Sequence, residues 1–235
     1  MKRIRPHLYS GYKDYYCRWM KQADICEKME MTREQQRKLK ELKSSLMKTV
    51  HPYIKRYGWK KKDFMIWFIR DELFFSLLLS VEEKDGQCFL AGRGTVKPLW
   101  SDEILWEILG MEENKEEPLS LRSIGAFTIY GAEIYKSNDE LPEWESFELK
   151  AAVEKVTADF QSVVQKMNID DFYCFAKETI YQRELLKCII LIYQGSCEDA
   201  AAVAAAMDSD YFSNEGQGFR KRALEYMKEK SVQRS

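Results

Sequence analysis

The sequence predicts an α+β fold: a curved antiparallel sheet of about four strands packed by amphipathic helices, with a C-terminal helical subdomain. Three observations carry this. Apolar residues recur at helical spacing over 32–57 and again over 144–167, an alternation that leaves one face wholly apolar begins at Leu73, and Asp85-Gly86 separates two strand-like runs. The expected organisation is a basic, aromatic N-terminal arm over 1–31, an α+β domain over 32–167 and a helical subdomain over 168–235 packed on it.

In the arm, Tyr9, Tyr12, Tyr15, Tyr16 and Trp19 would gather on one side of a helix, a pattern that reads first as a face docking on the parent domain and second as a stacking surface for single-stranded nucleic acid. Thr32-Arg33-Glu34-Gln35 has the form of a capping box, in which the Thr hydroxyl and the Gln amide satisfy each other's orphan backbone groups. Leu39, Leu42, Leu46, Val50, Ile54 and Tyr57 then mark one buried stripe of a helix. Pro52 removes a backbone donor, so this helix is expected to kink or split near 49–51. Gly58 suits its C-terminal stop, and Lys55 and Arg56 lie where cations favour the helix dipole. Residues 64–69 are apolar at both alternations, as in a strand covered on both faces, and Arg70-Asp71-Glu72 reads as a polar turn. Leu73, Phe75, Leu77, Leu79 and Val81 form the apolar face of the next strand. Asp85-Gly86 then closes a hairpin onto a third strand over 87–96, which Pro98 ends.

Further along, Ser101 is the expected cap of a short helix bearing Ile104, Leu105, Ile108 and Leu109, stopped by Gly110. An acidic loop over 112–117 follows, then a long fourth strand over 119–136 with Gly125 and Gly131 as bends. Leu149, Val153, Val156, Phe160, Val163 and Met167 mark the helix that covers the sheet. The remainder reads as a short helix around 171–176, an apolar helix over 178–194 and an Ala-rich helix over 197–207, with Gly195 stopping one and Ser196 capping the next in an αα-hairpin. A charged helix over 217–230 closes the chain.

Charge is distributed unevenly. The formal net charge is −1, yet residues 1–62 hold 18 Lys and Arg against 6 Asp and Glu, a net +12, and residues 63–235 hold the compensating −13. The seam is Gly58-Trp59-Lys60-Lys61-Lys62-Asp63. Such asymmetry points to an anionic partner or to a basic segment packed on an acidic body. Six cysteines, at 17, 26, 88, 174, 188 and 197, form no C-x-x-C pair and read as reduced. Neither a secretory h-region nor an apolar run of about 20 residues occurs, so a cytoplasmic protein without a membrane span is expected.

Chemistry-bearing motifs are sparse. The two histidines, His7 and His51, belong to no zinc pattern, and Gly92-Arg93-Gly94-Thr95 lacks the G-K-[ST] of a phosphate loop. Asp71 with Glu82-Glu83-Lys84 mimics a nuclease metal set, but an extended strand separates the carboxylates by roughly 30 Å. Glu148 reads as solvated charge, and Asp208 and Asp210 lack the rest of a calcium loop. No catalytic, cofactor-binding or metal residue and no cofactor is expected. The candidate anion or partner contacts are Arg93, exposed between two glycines, the triplet Lys60, Lys61 and Lys62, and Arg3, Arg5 and Arg18 of the arm with Lys13 and Lys21 beside them.

The order of elements, namely a Leu-striped helix ending in Tyr57-Gly58-Trp59-Lys60-Lys61, strands over 64–81, a strand with Gly92 and Gly94, a closing helix over 144–167 and an αα-hairpin, resembles a group of uncharacterised bacterial domain-of-unknown-function proteins over about residues 39–206. The resemblance implies a small bacterial α+β accessory domain with a partner-binding role such as toxin immunity. The expected function is therefore a non-enzymatic protein that binds a protein partner through a charged surface. Nucleic-acid binding through the basic arm and seam lysines is the second reading, and a small-anion or ligand pocket beneath the sheet near Arg93 and Trp100 the third. Oligomeric state stays open.

Overall fold

The computed structural model describes residues 31–232 apart from 125–126, 180–181 and 209. The chain is α+β, as its patterning requires, and its sheet is open rather than closed. Helix α1 (Arg33–Tyr57) begins with the capping box: Gln35 N–H donates to Thr32 Oγ1 at 3.2 Å and Thr32 N–H to Gln35 Oε1 at 2.9 Å. Leu39, Leu42, Leu46, Val50, Tyr53 and Ile54 form its buried stripe. The split expected at Pro52 does not occur, because α1 continues through it. Lys48 and Pro52 are both exposed, so the carbonyl that loses its partner is placed toward water, while Val50, Tyr53 and Ile54 hold the core side of the helix. Gly58, at φ 68°, gives its N–H to the Lys55 carbonyl and Trp59 N–H donates to Ile54 O at 3.0 Å. These paired bonds are a Schellman stop, which turns the chain sharply into the sheet.

Five antiparallel strands follow in sequence order: β1 (Lys60–Lys62), β2 (Met65–Arg70), β3 (Leu73–Lys84), β4 (Gln87–Pro98) and β5 (Ala132–Glu140). The strand beyond the expected four is β1, three consecutive lysines with no apolar residue for a pattern to detect. Tight turns join β2 to β3 at Asp71-Glu72 (φ 49° and 64°) and β3 to β4 at Asp85-Gly86 (φ 52° and 77°), with positive φ at both central residues as the type I′ geometry demands. The fourth strand expected over 119–136 is displaced. The chain first makes α3 (Leu121–Ile124), where Leu121 N–H bonds the Pro118 carbonyl and Arg122 is buried, and pairing with β4 starts only at Ala132. The irregularity in this pairing lies on β5, where Ile134 is the extra residue between the Gly94–Tyr135 and Thr95–Glu133 pairs, rather than at Gly131. Gly131 instead allows close approach, since a Cβ there would come 2.7 Å from the Val96 carbonyl oxygen. Gly125 falls outside the described residues.

One face of the sheet carries Leu73, Phe75, Leu77, Leu79, Val81, Leu90 and Val96, all buried. It is covered by α1 and by α4 (Ser146–Lys166), which run side by side in the same direction, Lys38 beside Glu145 and Trp59 beside Gln161. Leu149, Val153, Val156 and Phe160 face inward as expected, but Val164 rather than Val163 completes the stripe. Glu148 is more than a solvated charge, because it accepts the Glu143 and Glu145 N–H groups at the start of α4. The β4 glycines acquire their meaning here: a Cβ on Gly92 would sit 3.0 Å from Val156 Cγ1, and one on Gly94 2.5 Å from Phe160 Cε2. They admit the covering helix.

The other face is covered at one end by α2 (Leu99–Leu109), by α3 and by the chain around Ile129. Ser101 does not cap α2 as expected. The helix starts three residues earlier, after Pro98, and Ser101 is buried within its first turn, donating to the Pro98 carbonyl at 2.6 Å. The acidic stretch after Gly110 is a short 3-10 helix (Glu112–Glu116) rather than a loop. Then come α5 (Ile169–Glu178), boxed by Asn168 and Asp171, α6 (Arg183–Tyr193) and α7 (Cys197–Ala206). The αα-hairpin forms at Gly195 (φ 80°), but the Ser196 hydroxyl makes no capping bond, since its backbone is not extended there. A two-stranded ribbon, β6 (Ser213–Asn214) and β7 (Gln217–Gly218), precedes α8 (Phe219–Val232), so the last helix begins two residues later than expected. Asp210 helps to start it by accepting the Arg220 N–H at 2.8 Å. One continuous cluster of buried apolar side chains runs from Leu39 to Met227. Among the described residues no helix is long and apolar enough to cross a membrane.

Placing Gly94 against Phe160 yields a direct expectation. Gly94→Ala lowers stability to urea unfolding by about 1–3 kcal/mol through overpacking, and adding Phe160→Leu to the same chain restores part of that loss.

Candidate partner-binding surface

The exposed side of α1 is a line of cations. Arg33, Arg37, Lys40, Lys48, His51 and Lys55 fall at i, i+4, i+7, i+15, i+18 and i+22, all exposed, and turned away from the buried Leu stripe. At 1.5 Å per residue this ridge is about 33 Å long. The Schellman stop then delivers the chain into β1, whose Lys60, Lys61 and Lys62 are also exposed; the cross-strand pairs place Lys61 on the α1 side of the sheet and Lys60 and Lys62 on the opposite side. Between residues 33 and 62 stand 11 Lys and Arg against 2 Asp and Glu, whereas the first 30 residues hold 7 against 4. The helix and β1, rather than the arm, carry most of the basic excess. On the ridge Arg37 meets Glu41 at 2.8 Å, a strongly exposed pair of little energetic weight. Among the described residues Arg33, Lys40, Lys48 and Lys55 enter no ion pair. Lys38, off the ridge, bonds Glu145 and the Glu143 carbonyl, and the Glu145 bond raises its pKa.

The sequence candidates are spread apart. Lys60 pairs with Trp67 across the strands and its Nζ lies 5.1 Å from that indole, a cation–π contact. Arg93 occupies the same cross-sheet row as Lys62, through Met65 and Leu78, three strands away and therefore about 14 Å distant. It is half-buried, and its Nε sits 3.0 Å from Glu133 Oε2. Trp100 lies beyond the end of β4, stacked on Tyr193, and so does not share a pocket with Arg93. Two shallow grooves, one beside Glu107, Lys115 and Tyr226 and the other beside Asp210, Arg220 and Lys228, contain none of the candidates. Arg3, Arg5, Lys13, Arg18 and Lys21 lie outside the described residues, as do His7, Cys17 and Cys26. His51 belongs to the ridge. Among the described residues no three His, Cys, Asp or Glu gather as a metal site.

A buried charge cluster escaped the sequence reading altogether. Lys97, Asp102 and Arg122 are each at most 4% exposed. Lys97 Nζ lies 3.0 and 2.8 Å from the two Asp102 oxygens and donates to the Ile129 carbonyl at 2.8 Å, while Ile129 N–H donates to Asp102 Oδ1 at 2.8 Å. Arg122 spreads over the Trp106 ring at 4.8 Å and bonds Glu103 at 2.8 Å. Burial pushes the Asp102 carboxyl up and the Lys97 ammonium down, and each partner's charge opposes the other's shift. Asp102 also sits in the first turn of α2, where the helix dipole favours an anion. The cluster fastens the segment before β5 onto α2 and lines neither of the two grooves. Its only signal in the sequence was Lys97 breaking an apolar run, which a solvent-facing strand position explains equally well.

Comparisons with family models, with curated proteins and with solved structures gave no match.

Two measurements check this electrostatic picture. Asp102→Asn leaves Lys97 buried without its counter-charge and is expected to cost about 3–5 kcal/mol in urea unfolding, whereas Lys97→Met with Asp102→Leu regains most of it. Burial lifts the Cys88 and Cys188 thiols to about 11 and about 12, which keeps both protonated at pH 8. Mass mapping after alkylation of the folded protein at pH 8 should find exposed Cys174 modified and those two intact until urea is added.

Proposed function

We propose that this protein is a non-enzymatic binding protein whose ridge along α1 receives the phosphate backbone of a nucleic acid. The observation that carries the reading is a straight line of exposed cations about 33 Å long with no exposed large apolar side chain on the helix that bears it. A protein partner, acidic or not, needs buried aromatic or aliphatic anchors at the centre of its contact, because charge pairs at a wet rim add little affinity. The ridge offers none. A polyanion needs only the cations, since neutralising phosphates releases condensed counterions and that release drives association. The sequence suggests the basic arm and the seam lysines as the nucleic-acid element; the ridge supports the same chemistry on a rigid helix.

Fluorescence anisotropy with the full chain and a labelled DNA duplex tests it. If about five phosphates are neutralised, log affinity falls with log salt at a slope of about −4.5, so binding weakens several hundredfold between about 50 and 200 mM salt. Lys40→Glu, Lys48→Glu and Lys55→Glu together should lower affinity at least tenfold and flatten that slope. No binding at low salt, or a triple variant that binds as the parent does, refutes the ridge.

A further inference from the structure

Trp100 in the first turn of α2 and Tyr193 at the end of α6 lie face to face, their ring centroids 3.9 Å apart and their planes within 3°. Fully buried Phe172 meets Trp100 edge-on at 6.4 Å, so the stack is anchored from beneath. Its outer side is open: Tyr193 is 50% exposed and Ile169, one turn before Phe172, 39%. Large aromatic surface held rigidly in water is the raw material of a binding hot spot.

The surroundings are acidic. Asp170 is close enough to act on the neighbouring Tyr173 hydroxyl, Asp171 belongs to the same helical turn, and the Asp71-Glu72 turn abuts α2 through the bond from Leu99 N–H to the Glu72 carbonyl. The one arginine there, Arg70, is taken up by Asp71 and the Met167 carbonyl. An open aromatic face with an acidic rim selects a chain that brings guanidinium or ammonium groups together with rings of its own.

This protein contains such a chain. Residues 1–30 hold seven Lys and Arg, four Asp and Glu, and the rings of Tyr9, Tyr12, Tyr15, Tyr16 and Trp19. They join the described structure at Met31, beside the start of α4, and the platform lies past the other end of that helix, where α5 begins. The 21 residues of α4 span about 32 Å, and 30 extended residues reach about 100 Å. A net-positive segment is repelled by the α1 ridge and attracted by this rim.

We propose that the Trp100–Tyr193 platform is the docking site of this chain's own first 30 residues, held by cation–π and ring contacts within an acidic rim. A protease site inserted between Glu30 and Met31 of the full chain allows the segment to be severed after folding. In low-salt gel filtration the severed fragment should co-elute with the body. Tyr193→Ala and Asp170→Lys, both at exposed positions, should each weaken retention at least tenfold. Immediate release from the unsubstituted body, equal retention by both variants, or retention only in a species of doubled mass overturns the proposal.

Discussion

The approach of Phe160 to the sheet at Gly94 is the contact on which the remaining geometry rests. A side chain at position 94 would collide with that ring, so the covering helix reaches its depth only because the strand has none there. Once α4 is seated, Trp59 meets Phe160 at 5.8 Å and stacks on Phe68, with Tyr135 closing the other side. Trp59 is also the residue that the Schellman stop of α1 throws inward, and its Nε1 donates to Gln161. The rotation of α1 about its axis is thereby fixed at both ends, by Lys38 on Glu145 and by Trp59 on Gln161. The outward direction of the cationic ridge is a consequence of how a phenyl ring settles on a glycine.

Charge is used in two opposite ways. The Lys97–Asp102 pair is sequestered, and its interaction acts at low effective dielectric, where breaking it leaves an uncompensated ion. The ridge cations stay in water, where one unit charge attracts another with only about 1 kcal/mol at 4 Å. Individually each contributes little to stability. Their effect is collective and concerns association, because many weak attractions act at once on a partner that carries its charges in a row.

Legibility followed the strength of the local pattern. The capping box at Thr32, the Gly58 stop, the Asp85-Gly86 turn and the Leu73 to Val81 alternation were readable because each is a short-range physical requirement written into adjacent residues. The expected strand over 119–136 holds only from Ala132 onward, because Arg122, a residue that looks solvent-exposed, is buried by partners 19 and 20 positions earlier. Ser101 looked like a cap, yet Pro98 already supplies the extended residue and the helix starts before the serine. The charged surface was half legible. Its net value could be counted, but only helix phase places the exposed line along α1, between the arm and the seam.

The three-lysine strand has a consequence for the molecule's life among copies of itself. An open sheet ends in rows of unpaired N–H and C=O groups, and a bare edge of the apolar β2 would be a template for another chain to extend. Here that edge is taken by the shortest strand in the five-stranded sheet, made wholly of long, solvated, like-charged side chains. A neighbour's strand approaching along the same line would have to strip water from three ammonium groups and meet their repulsion first. The residues at the seam thus act as a terminator for this edge of the sheet.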